Sequence, residues 1–285
     1  MLIFCLLAVN EIDYVDAVIA SVKPYCDKII VVECCARRPF DYLYSEGFVT
    51  KDGLSTDGTT EYFVNRVKEK NDILYLPIGT LDGTVEACAF RECHRHIKNG
   101  DYVWVGTGNE VYFSPKCEKI CSFVGRSVPY INVGQIVMWK DLRHRIVGGS
   151  WGHPVIRVYK YDSGEYVFNQ WSTDCPPCKF DKSYSTSKFR VEDGCMKLAF
   201  ARDERRVFHK IALQDIEYND RLNNLKGYSS IEDYIHRTHH FYNDVHAPGI
   251  GIEHYYGEYP AVITAEIYPH SQIYNAMQSD GWEEV

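Results

Sequence analysis

Residues 1–24 read MLIFCLLAVNEIDYVDAVIASVKP, and the fold turns on how this stretch divides. Leu2 to Val9 is an unbroken apolar run, the pattern of a strand buried on both faces. From Glu11 the period changes. Ile12, Val15, Val18, Ile19 and Val22 recur at helical spacing, and Pro24 ends the pattern. The alternation then continues along the chain. Lys28 to Glu33 reads as a second strand, and Thr59 to Lys70 as a helix entered through a Ser-Thr-Asp-Gly turn. Ile73 to Leu76 reads as a short strand, Thr84 to Ile97 as a helix and Asp101 to Val105 as a fourth strand. Strands alternating with helices over short connections imply an α/β fold, a mainly parallel sheet with helices on both faces.

In sheets of this kind ligands bind beyond the carboxyl ends of the strands. Asn10, Glu11, Glu33 and the run Thr107 to Glu110 are therefore the expected site residues. From Tyr130 the pattern shifts to short β-rich runs between Gly-rich turns (Ile131–Trp139, Val155–Tyr159, Tyr166–Phe168), which predicts mixed or antiparallel pairing. Asp174 to Lys188, with Pro176 and Pro177, reads as a loop. Asp203–Arg221 and Ser230–Tyr242 read as helices, and the Tyr-, Pro- and His-rich tail after Pro248 as a surface wrap.

Composition bounds the function. Apolar residues make up 45% and charged residues 25%, which excludes a disordered, collagen-like or coiled-coil chain. Lys plus Arg number 31 against 39 Asp plus Glu, so the formal net charge is 31 − 39 = −8. Such a chain has no bulk attraction for nucleic acid or an anionic membrane, and either partner would need a local basic patch. Arg143-His144-Arg145 and Arg202, Arg205 and Arg206 are the clearest patches; the alternative for each is a solvated face. The 22 tyrosines supply amphipathic side chains for cores and polyol-binding clefts.

The first residues are apolar for only nine positions and lack a basic segment, so they read as a strand rather than a signal peptide. No stretch approaches the ~20 apolar residues of a membrane span. Eleven cysteines, several inside apolar runs, suit reduced thiols, and the expected location is cytoplasmic. Cys175-Pro-Pro-Cys178 has metal-ligand or redox spacing without a second such pair. Cys117 and Cys121 stand one helical turn apart, and Cys88, Cys93, His94 and His96 cluster. Unligated thiols are expected over a structural zinc. His236 and His240 also share a helical turn, and read as surface or partner-facing.

Scattered motifs over residues 1–225 resemble the glycosyltransferase family 2-like enzymes of the GT-A fold. Asn10-Glu11 follows the first strand. Val31-Val32-Glu33 ends the second, where the family has an acidic residue facing the base or ribose. Leu54-Ser55-Thr56-Asp57-Gly58-Thr59 is similar to the family's Ser-Thr-Asp-Gly-Thr turn, the most specific match. There Gly58 makes the bend and Ser55, Thr56 or Asp57 can cap the helix. Asp101-Tyr102-Val103-Trp104-Val105 stands where the family's strand leads to Asp-x-Asp. Lys197 to Asp203, with Val207 and Lys210, resembles the family's His-x-Gly-Tyr segment and following helix.

The resemblance implies a GT-A-type, mostly parallel Rossmann-like sheet with helices on both faces, then a smaller mixed sheet and C-terminal helices. Residues 1–225 would form the transferase-like domain, with 1–115 as the nucleotide-sugar-binding half and 116–225 as the acceptor half. Residues 226–285 would be a helical, wrapping extension. The activity implied is transfer of a sugar from a nucleotide-sugar donor, expected to be UDP-linked, to an acceptor hydroxyl, with inversion.

The sequence departs from the family at the metal site. The Asp-x-Asp positions are occupied by Thr107 and Asn109, leaving Glu110 as the anion, and a later His that often binds the metal falls at Lys197. Hard divalent cations prefer carboxylate oxygens. A diphosphate leaving group still needs its charge stabilised, and an ammonium can supply this. The expectation is therefore a metal-independent transferase in which Lys197, with Arg202, replaces manganese or magnesium. Weak metal retention by Glu110 and Asn109 is a further account. Arg91, on the helix after the third strand, is expected to face the diphosphate, with a surface ion pair to Glu86 or Glu92 as the equal alternative.

An inverting transferase needs a carboxylate to take the acceptor proton. Asp193 is the first candidate, Glu192 the second, and Asp174 the reserve; the alternative for the first two is a solvated turn before Gly194. Trp151 and His153 resemble acceptor-side residues, Trp151 stacking on a sugar or base, with core packing as its alternative. Two other functions fit this pattern. One is a catalytically inactive module that binds sugar nucleotides or glycans. The other is a phage-type DNA glycosyltransferase acting on a hydroxylated base, against which the net charge counts.

Overall fold

The computed structural model describes residues 1–82, 85–139, 142–148, 155–162, 189–202, 206 and 251–263. β1 (Leu2–Leu7) is buried at every position. It lies between β2 (Lys28–Ala36) and β4 (Tyr102–Thr107), both parallel to it, and β3 (Leu74–Leu81) extends β2 in parallel. The strand order β3-β2-β1-β4 is therefore a parallel sheet grown outward from the first strand.

Side chains alternate across a strand, and β1 shows the consequence. Leu2, Phe4 and Leu6 enter one core with α1 (Val15–Val22), Phe63 of α3 (Thr59–Lys70) and Ile120 of α5 (Ser114–Gly125). Ile3, Cys5 and Leu7 enter a second core with Ala89, Phe90 and Cys93 of α4 (Val85–His94). Helices thus cover both faces, as the unbroken apolar run requires. Phe4, Trp104 and Tyr112 pack edge to face, with ring centroids 4.8–6.0 Å apart, and removing such a ring from a core costs about 3–5 kcal/mol.

The mixed part is continuous with the parallel part. β8 (Val155–Lys160) pairs antiparallel with β4 and with β6 (Tyr130–Trp139). β6 runs parallel to β9 (Arg190–Phe200), and β5 (Glu110–Tyr112) pairs antiparallel with β9. β7 (His144–Val147) pairs antiparallel with β6, and β10 (Gly251–His254) with β7. Among the described residues, the ten strands form one sheet. The late segment of the chain thus contributes a strand to the sheet built by the earlier one.

Some elements differ from the sequence reading. β2 and β3 run beyond Glu33 and Leu76, because a register shift between Glu33 and Cys34 absorbs the irregular Pro77–Gly79 stretch. α2 (Arg37–Ser45) tolerates Pro39 because that proline sits in its first turn, where its missing N–H is not needed. Glu192-Asp193, for which a solvated turn before Gly194 is the alternative reading, lies inside β9 with both residues exposed. The helices expected at 203–221 and 230–242, the loop at 174–188, and Cys175, Cys178, His236 and His240 lie outside the described residues. The described cysteines are free thiols. Among the described residues, no helix is long and apolar enough to cross a membrane.

Candidate functional site

The connections leaving β1 and β4 and the end of β9 meet at the carboxyl edge of the sheet. Asn10, just past β1, adopts a left-handed backbone (φ 54°), which Asn tolerates better than most residues. Its side chain locks the bend: Oδ1 accepts from the Thr56 amide (3.2 Å) and Nδ2 donates to the Phe48 carbonyl (2.7 Å). The Ser55–Thr59 turn is tied to the same place, since the Asn10 amide donates to Ser55 Oγ and the Glu11 amide to Thr59 Oγ1.

Within that turn Gly58 occupies the helix N-cap position at φ 101°. Asp57 accepts from the Thr59 amide and hydroxyl with one oxygen and from the Ile12 amide with the other. Asp57 therefore joins the turn to the β1 connection. Glu33 is fully buried, and its carboxylate accepts from the Ser55 amide (2.6 Å), the Thr60 hydroxyl (2.7 Å) and the Tyr75 hydroxyl. Burial first, then that carboxylate, push the Tyr75 hydroxyl above its ordinary range. Glu33 clamps the turn to β2.

The centre of the site is Glu110, whose side chain has 0% exposure. Arg157 Nη2 lies 2.7 Å from its Oε1, Gln135 Nε2 donates at 3.0 Å, and Lys197 Nζ stands 3.9 Å away. Its Oε2 accepts from the Thr107 amide (3.3 Å) and the Tyr112 hydroxyl (3.4 Å). Lys197 is held there by strand register, opposite Glu110 in the β5–β9 ladder, and the neighbouring Leu198 amide donates to the Asn109 carbonyl. The Lys197 side chain is 22% exposed, so it also reaches solvent.

Beside this centre, Asn109 Nδ2 donates to Glu11 Oε1 (2.7 Å), and Thr107 Oγ1 donates to Asn109 Oδ1 (3.1 Å). Arg202 pairs with Glu11 Oε2, donates to the Asn10 carbonyl (3.0 Å), and lies 4.8 Å from the centroid of the Tyr14 ring. Farther out, Arg206 pairs with Asp13 and lies 3.4 Å from Asp57. The inner set places three cations, Arg157, Lys197 and Arg202, against two carboxylates, Glu11 and Glu110. The excess positive charge is local and opposite in sign to the chain's net −8.

The structure thus brings together Asn10, Glu11, Asp57, Thr107, Asn109, Glu110, Lys197 and Arg202. It adds Arg157 and Gln135, which the sequence reading did not assign. Arg157 had a visible signal, a cation between Ile156 and Val158 in a run that otherwise reads as buried strand. Other expected residues lie elsewhere. Arg91, half exposed in the last turn of α4, stands 4.0 Å from Glu92. Asp193 is exposed on β9, four residues before Lys197. Glu192 is farther and pairs with Arg190. Trp151 and His153 lie outside the described residues, as does Asp174.

A divalent metal, which the family resemblance brings into question, does not fit these donors. Glu110 is already held by a buried guanidinium, Glu11 by a second, and Thr107 and Asn109 are bonded to each other. A cation here would sit beside Lys197 and Arg157 and be repelled. Among the described residues, no group of three or more His, Cys, Asp and Glu side chains is placed to hold a metal.

No protein-family model matches the chain, and no curated protein matches it in sequence. Similar solved structures include a mannosyltransferase from Pyrobaculum calidifontis in complex with GDP-Man and Mn2+ (9% identity, TM-score 0.41, 74% of this chain and 62% of that one). Another is residues 1–349 of S. aureus TarS (12% identity, TM-score 0.39, 76% and 65%). A third is 4-diphosphocytidyl-2C-methyl-D-erythritol synthase from Anaerococcus prevotii (14% identity, TM-score 0.29, 75% and 98%). The chain spans less than two thirds of the length of the first two.

Proposed function

We propose that this chain is a glycosyltransferase that takes its sugar from a nucleotide-linked donor, with fixed protein cations holding the diphosphate. The observation that carries the reading is the placement of Lys197 across from Glu110, at the position where the sequence resemblance put a cation in place of a metal ligand. A diphosphate at this edge would meet Lys197 as a solvent-reaching point charge, with Arg157 and Arg202 behind it. As the bond from the anomeric carbon to the diphosphate oxygen breaks, negative charge grows on that oxygen, and preorganised cations stabilise it. The acceptor oxygen forms the new bond to the anomeric carbon and gives up its proton to a carboxylate.

The carboxylates at the edge, Glu11 and Glu110, already hold guanidinium groups, so the proposed proton acceptor is Asp193, with Glu192 second and Asp174 in reserve. A UDP-linked donor, inversion and a glycan acceptor belong to the same proposal and rest on the resemblance.

The pairing of both edge carboxylates favours a second reading, a module that binds the sugar nucleotide without transferring it. A thermal-shift screen across UDP, GDP and their sugars, with EDTA present, tests the first half of the account. A ligand at 100 times its Kd adds about 2.7 kcal/mol of stability, a rise of several degrees. Donor hydrolysis or transfer by the same protein supports the enzyme; stabilisation without turnover supports the module. No stabilisation by any nucleotide would remove both.

A further inference from the structure

Apart from the carboxyl edge, a cleft of about 750 Å³ opens between the start of α5, the middle of β9 and the stretch from Glu253 to Glu258. This lies within the ~300–1,000 Å³ range of ligand-binding clefts. Ile136 and Phe113 give it an apolar lining. Three features indicate what it would bind.

The first is an uncovered ring. Tyr256 is 88% exposed, the most exposed large hydrophobic side chain among the described residues, and its ring lies 4.3 Å from that of His254. Beside it, Tyr255 is held rigidly: its hydroxyl donates to the Glu258 carbonyl (2.6 Å), and Arg145 lies 5.8 Å from its ring centroid. An aromatic face presented on a braced segment is a stacking platform.

The second feature is charge. Asp193, Glu253 and Glu258 line the cleft against Lys116 and Arg145. Anions outnumber cations, the reverse of the inner set at the carboxyl edge, so a phosphate-bearing ligand is disfavoured here. Arg145 Nε donates to Glu253 Oε1 (2.7 Å), which fixes both groups as hydrogen-bonding partners. The third feature is backbone. Asp193 has φ 48° where the β6–β9 register shifts between Val133 and Gln135, so an exposed carboxylate is held at the cleft in a conformation few non-glycine residues adopt. Burial first, then the Asp193 charge, push the Tyr255 hydroxyl above its ordinary range.

An uncharged sugar chain presents apolar CH faces, which stack on rings, and hydroxyls, which donate to carboxylates and accept from guanidinium groups. We propose that this cleft binds an uncharged oligosaccharide, with Tyr256 as the platform and Asp193 and the Arg145–Glu253 pair as hydroxyl partners. The proposal does not need the transferase reading, because none of these residues holds the diphosphate at the carboxyl edge.

Calorimetric titration of the full chain with cellopentaose, maltopentaose and chitopentaose tests it. At least one should bind saturably. Tyr256→Ala should weaken that binding about tenfold or more with no change in melting temperature, as expected for so exposed a ring, and Asp193→Asn should weaken it several-fold. Saturating UDP should leave the sugar affinity unchanged. Absence of binding by all three sugars, unchanged affinity in Tyr256→Ala, or displacement of the sugar by UDP would each overturn the proposal. UDP binding is read in a separate titration, so failure of the transferase reading and failure of this one are distinguishable.

Discussion

Lys197 on β9 faces Glu110 on β5 across an antiparallel ladder, with Nζ 3.9 Å from a carboxylate that has no exposure to solvent. Strand register, not side-chain length alone, sets this distance. Glu110 is also held by Arg157, so the ammonium can turn toward a ligand without leaving the carboxylate unpaired. Lys197→Met should therefore weaken UDP binding about tenfold, or ~1.4 kcal/mol, while lowering the melting temperature little. Lys197→Arg should keep most of the affinity. Isothermal titration of the two variants checks both.

Arg157 has the opposite profile. It is buried against Glu110, and removing one partner of a buried pair costs about 3–5 kcal/mol. Arg157→Met should lower stability by that order in urea denaturation. Adding Glu110→Gln should recover much of the loss, because the stranded charge is gone. Equal stability of the single and double variants would contradict this account of the pair.

Gly108 is a position where bulk is excluded. A Cβ there would lie 2.6 Å from Glu11 Cγ and 2.7 Å from Glu11 Cβ. Gly108→Ala should displace the Glu11 carboxylate from Asn109 and Arg202, destabilise the fold by about 1–3 kcal/mol, and weaken UDP binding as well. Thermal denaturation and UDP titration of the same sample measure the two effects.

Acid should destabilise the protein in part through His94. Burial pushes its imidazole down to about 4, and its Nε2 lies 2.7 Å from the Tyr159 hydroxyl. The unfolded value is ~6.5, so the unfolded chain takes up the proton first. The contribution is complete above ~6.5 and is lost as pH falls toward 4, on the order of 3 kcal/mol in all. His94→Gln should flatten the stability profile in that window, as read from melting temperatures at a series of pH values.

The parallel core is legible in the sequence because β1, β2 and β4 are buried on both faces and so carry nearly continuous apolar runs, whereas β3 at the sheet's edge is only partly buried and is legible only in its first residues. β5 is not legible: three residues, Glu-Val-Tyr, hold no period, and its buried glutamate argues against a strand until its partners are seen. At the site, the placement of Lys197 beside the Thr107–Glu110 run follows from motif order. The role of Arg157 does not, because it depends on β8 inserting between β4 and β6, a pairing between segments far apart in sequence. Glu33 shows a related limit. An acid at a strand end suggests a ligand, yet here one oxygen is used by Ser55 and Thr60 and the other by Tyr75 of β3.

The central claim is that protein cations, rather than a metal, hold the diphosphate. Calorimetric titration of UDP into EDTA-treated protein, repeated with added Mn2+, tests it most directly. The account predicts matching affinities within about twofold, and the same roughly tenfold weakening in Lys197→Met under both conditions. Binding that appears only when Mn2+ is restored would contradict it.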